Sequence, residues 1–598
     1  MKLSDWVAGY LARREANDVF LVAGGGIMHL LDSIGRHPGL RYFSTYHEQA
    51  AVVAAEGYAR RTGRIGVALV TVGPGAANAV AGLPGAWVDS VPLIVLAGQV
   101  RRDLIANYRV QRQYGPQEAN TLDMARPVCK YAVSLRDPKQ VRAVLDEAFR
   151  HATTGRPGPV WVEFPLDVQG AEIDEAELET SAATEPPRAA ERLAADVHAV
   201  VEILRKAERP LIVPGNGVRS EKARTLLAEL LERTSIPVAV PFTAKDLVPE
   251  CDPRYVGVFG TAGQRRANFA VQNCDALLAV GAGLNVQKIG FNCAGFAASA
   301  VKAVVDVDPV QLERQALEPD LGVVADASAF LEELLRRLEG VELALTERWL
   351  AACARWKERY PTLTPDAFRD VDHVNSYVFM DALSDAVRGD DTLVVGAGLD
   401  AVSAYQAFRV RAGQRVLITG WGSMGWDLPL AVGASIGSNG RVVVAVGDGS
   451  IQWNLQELMT IARYRLPVKI FVFNNAGFGS IRATQNAFFG GKLVGSDPES
   501  GVANPDFAKL AEAYGLRHVR ARTNGELAEV LPAFLADNLP AICELNIAAE
   551  QSISPKASTF RRPDGTFESR PLEDMAPFLP REEVFENMNL FSKAESQA

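Results

Sequence analysis

The chain has 598 residues, with 62 Lys+Arg against 72 Asp+Glu for a net charge of −10, 48% hydrophobic and 22% charged residues. At about 150 residues per domain this length makes three or four domains, and the composition excludes a disordered or fibrous chain. The acidic balance argues against nucleic acid as a main partner, because a surface for it needs a basic excess.

The first 18 residues, MKLSDWVAGYLARREAND, read as an amphipathic helix with no apolar secretory core. The longest apolar stretch, residues 68–88, is broken by Pro74 and Pro84 and by glycines, so no membrane span is expected. Six scattered cysteines form no CxxC pair, which leaves no zinc or disulfide framework and fits a cytoplasmic protein.

Short β-branched runs then alternate with helical spacing. They are RIGVALVTV (64–72), SVPLIVLAG (90–98), RPLIVPG (209–215), CDALLAVGAG (274–283), AVKAVVDVD (300–308), DTLVVGAG (391–398), RVVVAVGDG (441–449) and VKIFVFNN (468–475). This alternation predicts an α/β protein built from parallel, Rossmann-like sheets covered by helices. An acidic Ala/Thr/Pro-rich stretch at 171–191 reads as a linker, and YPTLTPDAFRD (360–370) as a second boundary. The expected domains are 1–170, 190–345 and 370–550, with an irregular Pro-rich tail over 551–598.

The segment from 442 to 475 carries the chemistry. It reads as strand, turn, helix, strand, with Asp448 ending the first strand and Asn475 the second. Adjacent parallel strands place a carboxylate and an amide oxygen on one sheet edge, a donor set suited to Mg²⁺. Gly447 and Gly449 permit a tight turn and close approach of a phosphate. A helix starting near Ser450 offers free N–H groups to it. The expected ligand is a diphosphate bridged to Mg²⁺; an ordinary βαβ turn would explain GDG alone, but not GDG with Asn474–Asn475 at this spacing.

On this motif the chain resembles the acetolactate synthase-like branch of thiamine diphosphate enzymes, over nearly its whole length. The resemblance implies a pyrimidine-binding N-terminal domain, a central spacer domain and a diphosphate-binding third domain. It implies Asp448, Asn475 and the Gly477 carbonyl as metal ligands. Glu48, in RYFSTYHEQAAVVAAEGYAR, is the implied catalytic group, a buried glutamate sharing a proton with the cofactor's aminopyrimidine. From the residues alone, Glu48 reads first as a first-turn glutamate favoured by the helix dipole. Implied cofactor contacts are Gly25 in the Gly24–Gly26 loop, Pro74 and Asn78 in GPGAAN (73–78), Gln117, and Gly422, Ser423 and Met424 in GWGSMGW. Gly449, Ser450, Phe478 and Ile481 complete them, the last two also shaping an acceptor pocket with Phe488 and the tail. Met424 is the implied wedge beneath a bent cofactor, although an isolated Met reads first as core. His29 and His47 read as structural histidines, His47 with a second reading as a substrate contact.

The implied reaction is decarboxylation of a 2-oxo acid, pyruvate above all, and transfer of the acyl-anion unit to a carbonyl acceptor. A flavin-dependent pyruvate oxidase and a simple 2-oxo acid decarboxylase are the alternatives. Thr484 stands where branched-chain synthases carry a tryptophan, and Pro116 where an aromatic is usual. SIRATQ (480–485) and the tail look similar to the branch associated with sugar and polysaccharide biosynthesis. GNGVRS, GTAGQRRAN, GAGLNVQKIG and DVDP keep FAD open as a third cofactor, while Gly283 replaces an arginine common in flavin-binding relatives. The family's sites lie between subunits, so a homodimer or homotetramer is expected.

Overall fold

The computed structural model describes residues 1–181, 190–313 and 317–591. Most of the stretch read as a first linker is described; its residues 182–189 lie outside the described residues, as does the end of the tail.

Three six-stranded parallel sheets follow one another along the chain. The N-terminal sheet contains β1 (Asp18–Leu21), β2 (Arg41–Ser44), β3 (Gly66–Val70), β4 (Leu93–Gln99), β5 (Tyr131–Ser134) and β6 (Pro159–Pro165). The central sheet contains β7 (Pro210–Pro214), β8 (Val238–Pro241), β9 (Tyr255–Phe259), β10 (Ala276–Val280), β11 (Val301–Asp306) and β12 (Leu321–Val324). The third contains β13 (Thr392–Val395), β14 (Arg415–Leu417), β15 (Val442–Gly447), β16 (Val468–Asn474), β17 (Arg517–Ala521) and β18 (Ala541–Asn546). The middle strands are buried along their length, up to the last residue in β15 and β16, which is why they read as continuous apolar runs and do not alternate. The expected three α/β domains with parallel sheets are thus present.

The first and third sheets share one strand order. The N-terminal order is β2-β1-β3-β4-β6-β5 and the C-terminal order is β14-β13-β15-β16-β18-β17. Each reverses direction between its first and third strands, and ligands in open α/β sheets bind at such switch points, beyond the carboxyl ends of the strands. The Gly24–Gly26 loop and the GPGAAN turn follow β1 and β3. The loop 396–398 and Asp448 follow β13 and β15. The central sheet runs β12-β11-β10-β7-β8-β9 and switches between β7 and β10.

The N-terminal and C-terminal domains meet through two helices, Glu48–Thr62 and Asp427–Ile436. A Cβ on Gly57 would stand 2.2 Å from the Leu430 carbonyl oxygen, and one on Gly433 1.7 Å from that of Ala54. Two glycines therefore let the helices cross backbone to backbone. Apolar residues of both domains close around the crossing as one core, including Val52, Val53, Leu428 and Leu430.

The tail is less irregular than expected. Lys556–Ala557 pairs antiparallel with Met575–Ala576, Thr559–Arg561 pairs with Phe567–Ser569, and a helix spans Arg581–Met588. It packs on the central domain, with the Asn268 side-chain amide donating to the Leu572 carbonyl at 2.9 Å and the Trp356 indole N–H to Asn587 Oδ1 at 2.7 Å. Among the described residues no helix is long and apolar enough to cross a membrane.

The glycine crossing makes a sharp expectation. Gly433→Ala should destabilise the protein by about 3 kcal/mol or more, at the upper end of overpacking costs. Gly389→Ala, where a Cβ meets open space, should stay within about 0.5 kcal/mol. Denaturant unfolding of both variants checks the pair.

Candidate active site

The N-terminal half of the site is built around Glu48. β2 ends at Ser44 and the helix begins with Glu48 as its first residue, capped by His47, whose Nδ1 accepts the Gln49 N–H at 3.1 Å. This cap accounts for His47. The Glu48 carboxylate accepts from the Asn78 side-chain amide at 3.0 Å, and its Oε1 lies 2.8 Å from where a Cβ on Gly75 would stand. Pro74 begins the short helix Pro74–Val80, so its missing N–H costs nothing. Gly73 has φ +60°, and a Cβ there would strike the Gln117 carbonyl oxygen. Glycine is required at that spot, and it brings the Gln117 loop against the GPGAAN turn. Thr71 closes the group: its hydroxyl accepts the Gly26 N–H at 3.1 Å, and Gly24 and Gly75 both pack against it. Gly25 faces open space. Glu48, Gly25, Pro74, Asn78 and Gln117 therefore lie in one neighbourhood. Glu48 is half-buried in this chain, where the resemblance led us to expect a buried carboxylate; the solvent side of the β2–helix corner leaves one flank open.

Sequence reasoning missed Glu118. It is buried, and its carboxylate accepts N–H groups from Ala106, Tyr114 at 2.8 Å and Gly115 at 2.9 Å. Those backbone donors hold its pKa low against the opposing effect of burial and fold the 106–118 loop that displays Gln117.

The C-terminal half centres on Asp448. β15 and β16 are paired in parallel, with Gly447 opposite Phe473, so Asp448 and Asn475 emerge side by side. Asp448 is buried, and its Oδ2 accepts N–H groups from Asn475 at 3.0 Å, Gly477 at 3.0 Å and the Asn504 side chain at 2.6 Å. Burial pushes this carboxyl above the usual aspartate range, and the donors oppose it. Such a carboxylate among backbone N–H groups suits a cation with an anionic ligand. The 475–477 turn is held by Arg482, whose guanidinium donates to the carbonyls of Asn475 at 2.6 Å and Ala476 at 2.9 Å. Neither Arg482 nor Asn504 had a sequence signal, because each reaches the site only through the tertiary fold.

One local reading changes. Residues Ser450–Asn454 form a 3₁₀ turn, and the regular helix starts only at Glu457. Ser450 is the reason: its hydroxyl donates to Asp427 Oδ2 at 2.5 Å and accepts the Gly425 N–H at 2.9 Å. Its side chain thus braces the Met424 loop, leaving backbone groups for a ligand. Gly449 packs against Phe478 and Met424, while Gly422, at φ +65°, and Gly447 face open space. Phe478 precedes the helix Gly479–Phe488, on which Ile481, Thr484 and Phe488 are exposed.

The central-domain glycines serve packing first. A Cβ on Gly215 would stand 2.2 Å from the Ala282 Cα and one on Gly217 2.8 Å from the Gly281 Cα. N–H groups of Gly215 and Gly217 donate to Val280 and Gly281 carbonyls at 2.9 and 3.0 Å. A cavity of about 220 Å³ lies between Phe242, Phe259 and Thr261 of this domain and Gly396, Tyr405 and Gly422 of the next.

Three stretches of the chain match thiamine pyrophosphate enzyme domains: the N-terminal TPP binding domain over 1–124, the central domain over 197–334 and the C-terminal TPP binding domain over 396–545. The chain belongs to the thiamine pyrophosphate enzyme family. It is 32% identical over 560 residues to the acetolactate synthase large subunit of Parasynechococcus marenigrum, covering 91% of this chain and 87% of that one. It is 30% identical to the large subunit of Cyanidium caldarium (91% and 93% covered) and to the isozyme 2 large subunit of Escherichia coli (96% and 100%). It is a thiamine diphosphate-dependent, acetolactate synthase-like enzyme.

If Asn504 orients Asp448, Asn504→Ala should raise the divalent-cation concentration needed for half-maximal turnover about 10- to 100-fold. Titration of Mg²⁺ at saturating thiamine diphosphate reads this directly.

Proposed function

We propose that the protein decarboxylates a 2-oxo acid of the pyruvate class and joins the resulting two-carbon acyl unit to an acceptor carbonyl. The observation that carries this is the placement of Glu48, paired with Asn78 at the head of a helix, beyond the N-terminal switch point. Asp448 and its ring of N–H donors follow β15, at the switch point of the third domain. Thiamine diphosphate, when bound, supplies the electron sink for losing CO₂. The residues supply the rest. When bound, Mg²⁺ would be held by Asp448, Asn475 and the Gly477 carbonyl. Gly422, Ser423, Gly449 and Ser450 give the diphosphate backbone donors. Met424 and Phe478, which both lie against Gly449, and the exposed Ile481 would supply apolar surface beside the bound cofactor.

Glu48 holds or gives up the proton shared with the aminopyrimidine ring. It is suited to this by geometry: one amide engages its carboxylate, and Gly75 leaves the other oxygen approachable. Joining an acyl unit to a carbonyl changes no net oxidation state, so no step here runs through FAD. The central-domain glycines are accounted for by their own packing.

We place the working site between two copies of the chain, in a homodimer or larger homo-oligomer. Tyr46, Trp421 and Trp453 are 57%, 45% and 61% exposed, and they flank Glu48, the Met424 loop and the GDG turn. Large aromatics are costly to leave in water beside a site that must be dry.

Two measurements test this reading. Glu48→Gln should cut turnover of pyruvate at least about 100-fold while leaving thermal stability within a few degrees of the parent; normal turnover would end the assignment. Mixing Glu48→Gln with Asp448→Asn under subunit exchange should restore about a quarter of parental activity, since half of the dimers are then hybrids with one intact site. No restoration would place both residues in one subunit's site.

A further inference from the structure

The loop 420–426 carries Gly422, Ser423 and Met424, and both of its ends are held by carboxylates of the N-terminal domain. The Gly420 N–H donates to Asp89 Oδ2 at 2.8 Å, and the Trp426 indole N–H donates to Glu56 Oε2 at 3.2 Å. Arg60 ties the two carboxylates together. Its Nε donates to Glu56 Oε1 at 2.8 Å and its Nη2 to Asp89 Oδ2. Glu56 is fully buried, and the Arg60 and Asp89 side chains nearly so.

The fit is close at both ends. A Cβ on Gly420 would stand 2.5 Å from Asp89 Oδ1, and one on Gly85 2.6 Å from the Trp426 Nε1 and 2.8 Å from Glu56 Oε2. Between the pins, Gly422 and Gly425 both have positive φ, at +65° and +82°. Two glycines in four residues leave the segment many alternative conformations, so its shape must be set from outside. A buried ion cluster is a weak source of net stability, because desolvation cancels much of its attraction. Its retention here calls for a positional reason.

We propose that Glu56, Arg60 and Asp89 are positioning residues that clamp the 420–426 loop in the shape that presents Met424 and the Gly422 backbone to the cofactor. The clamp acts through the backbone at Gly420 and the indole at Trp426, not by contact with the reacting atoms. Glu56 and Arg60 lie on the helix that begins with Glu48, so one rigid element carries the proton-relay carboxylate at its head and the loop clamp two turns on. This inference rests on the reading of the 420–426 loop as cofactor-holding.

The test uses amide hydrogen exchange over residues 418–428 in the cofactor-free, full-length protein, read beside steady-state kinetics. Trp426→Phe keeps an aromatic ring and removes only the link to Glu56. Asp89→Asn keeps an oxygen for the Gly420 N–H and removes the charge facing Arg60. Asp89→Ala removes both. Asp391→Asn is the control, since Asp391 forms a similarly buried pair with Arg441 at 2.6 Å at the amino ends of β13 and β15 in the same sheet.

Trp426→Phe and Asp89→Ala should speed exchange of the loop about tenfold, as for one lost hydrogen bond to a charged group, and raise the thiamine diphosphate requirement in step. Asp89→Asn should recover most of the loop's protection. Asp391→Asn should lower Tm without moving either readout. Loop exchange unchanged in Trp426→Phe, or changed equally in Asp391→Asn, overturns the clamp. Met424→Ala with an unchanged cofactor requirement would instead overturn the cofactor reading of the loop, while the exchange data still decide the clamp.

Discussion

The two half-sites that the chain carries are held to one another by the backbone crossing of the helices Glu48–Thr62 and Asp427–Ile436 at Gly57 and Gly433. Glycine inside a helix costs roughly 0.5–1 kcal/mol against alanine, and the chain accepts this in both partners. In return the two helix axes approach to a distance no side chain permits. That approach fixes the N-terminal sheet against the C-terminal one. It also fixes two helix heads: Glu48 starts one helix, and the other starts three residues after Met424. Buried pairing of Glu56, Arg60 and Asp89 lies on the same interface, so the apolar contact and the ionic one orient the same loop.

The first and third domains repeat one strand order although their sequences show no short-period repeat. The physical reason is that sheet topology constrains only where apolar runs and turns fall, not which residues fill them. Each sheet presents a glycine-rich loop and a strand-end turn at its switch point. In the first domain those loops frame a carboxylate at a helix head, Glu48. In the third they frame a carboxylate at a strand end, Asp448. A single architectural solution has been given two chemistries by changing the residues beyond the carboxyl ends.

The candidate site was legible in the sequence where it coincided with a strand end. Asp448 and Asn475 each terminate an apolar run, and pairing of β15 with β16 follows from their adjacency in a βαβ unit. Glu48 was legible only through its resemblance to a family, since a first-turn glutamate is commonplace. Three features were hidden. Asn504 lies 56 residues beyond Asp448 in an irregular segment and meets it only through folding. Arg482 reads as a surface helix residue, yet it is buried because its guanidinium is spent on backbone carbonyls. The 3₁₀ start at Ser450 arises from a hydroxyl captured by Asp427, a contact 23 residues back in the chain. In each case the deciding partner is remote, and local periodicity carries no trace of it.

The two carboxylates at the heart of the site are set up in opposite ways. Asp448 is buried with three N–H donors on one oxygen; burial still pushes its carboxyl above the usual aspartate range, and a divalent cation would complete this environment. Glu48 is half-buried and met by one amide on one oxygen, which leaves its other oxygen approachable. The two acids thus differ in burial and in how many donors meet them. The glycines decide which is which: Gly477, at φ +125°, lets the backbone N–H turn in on Asp448, whereas Gly75 withdraws its missing side chain from Glu48 and keeps that oxygen open. The same residue type thus closes one carboxylate and exposes the other, and the chemistry of the site follows from where each glycine falls.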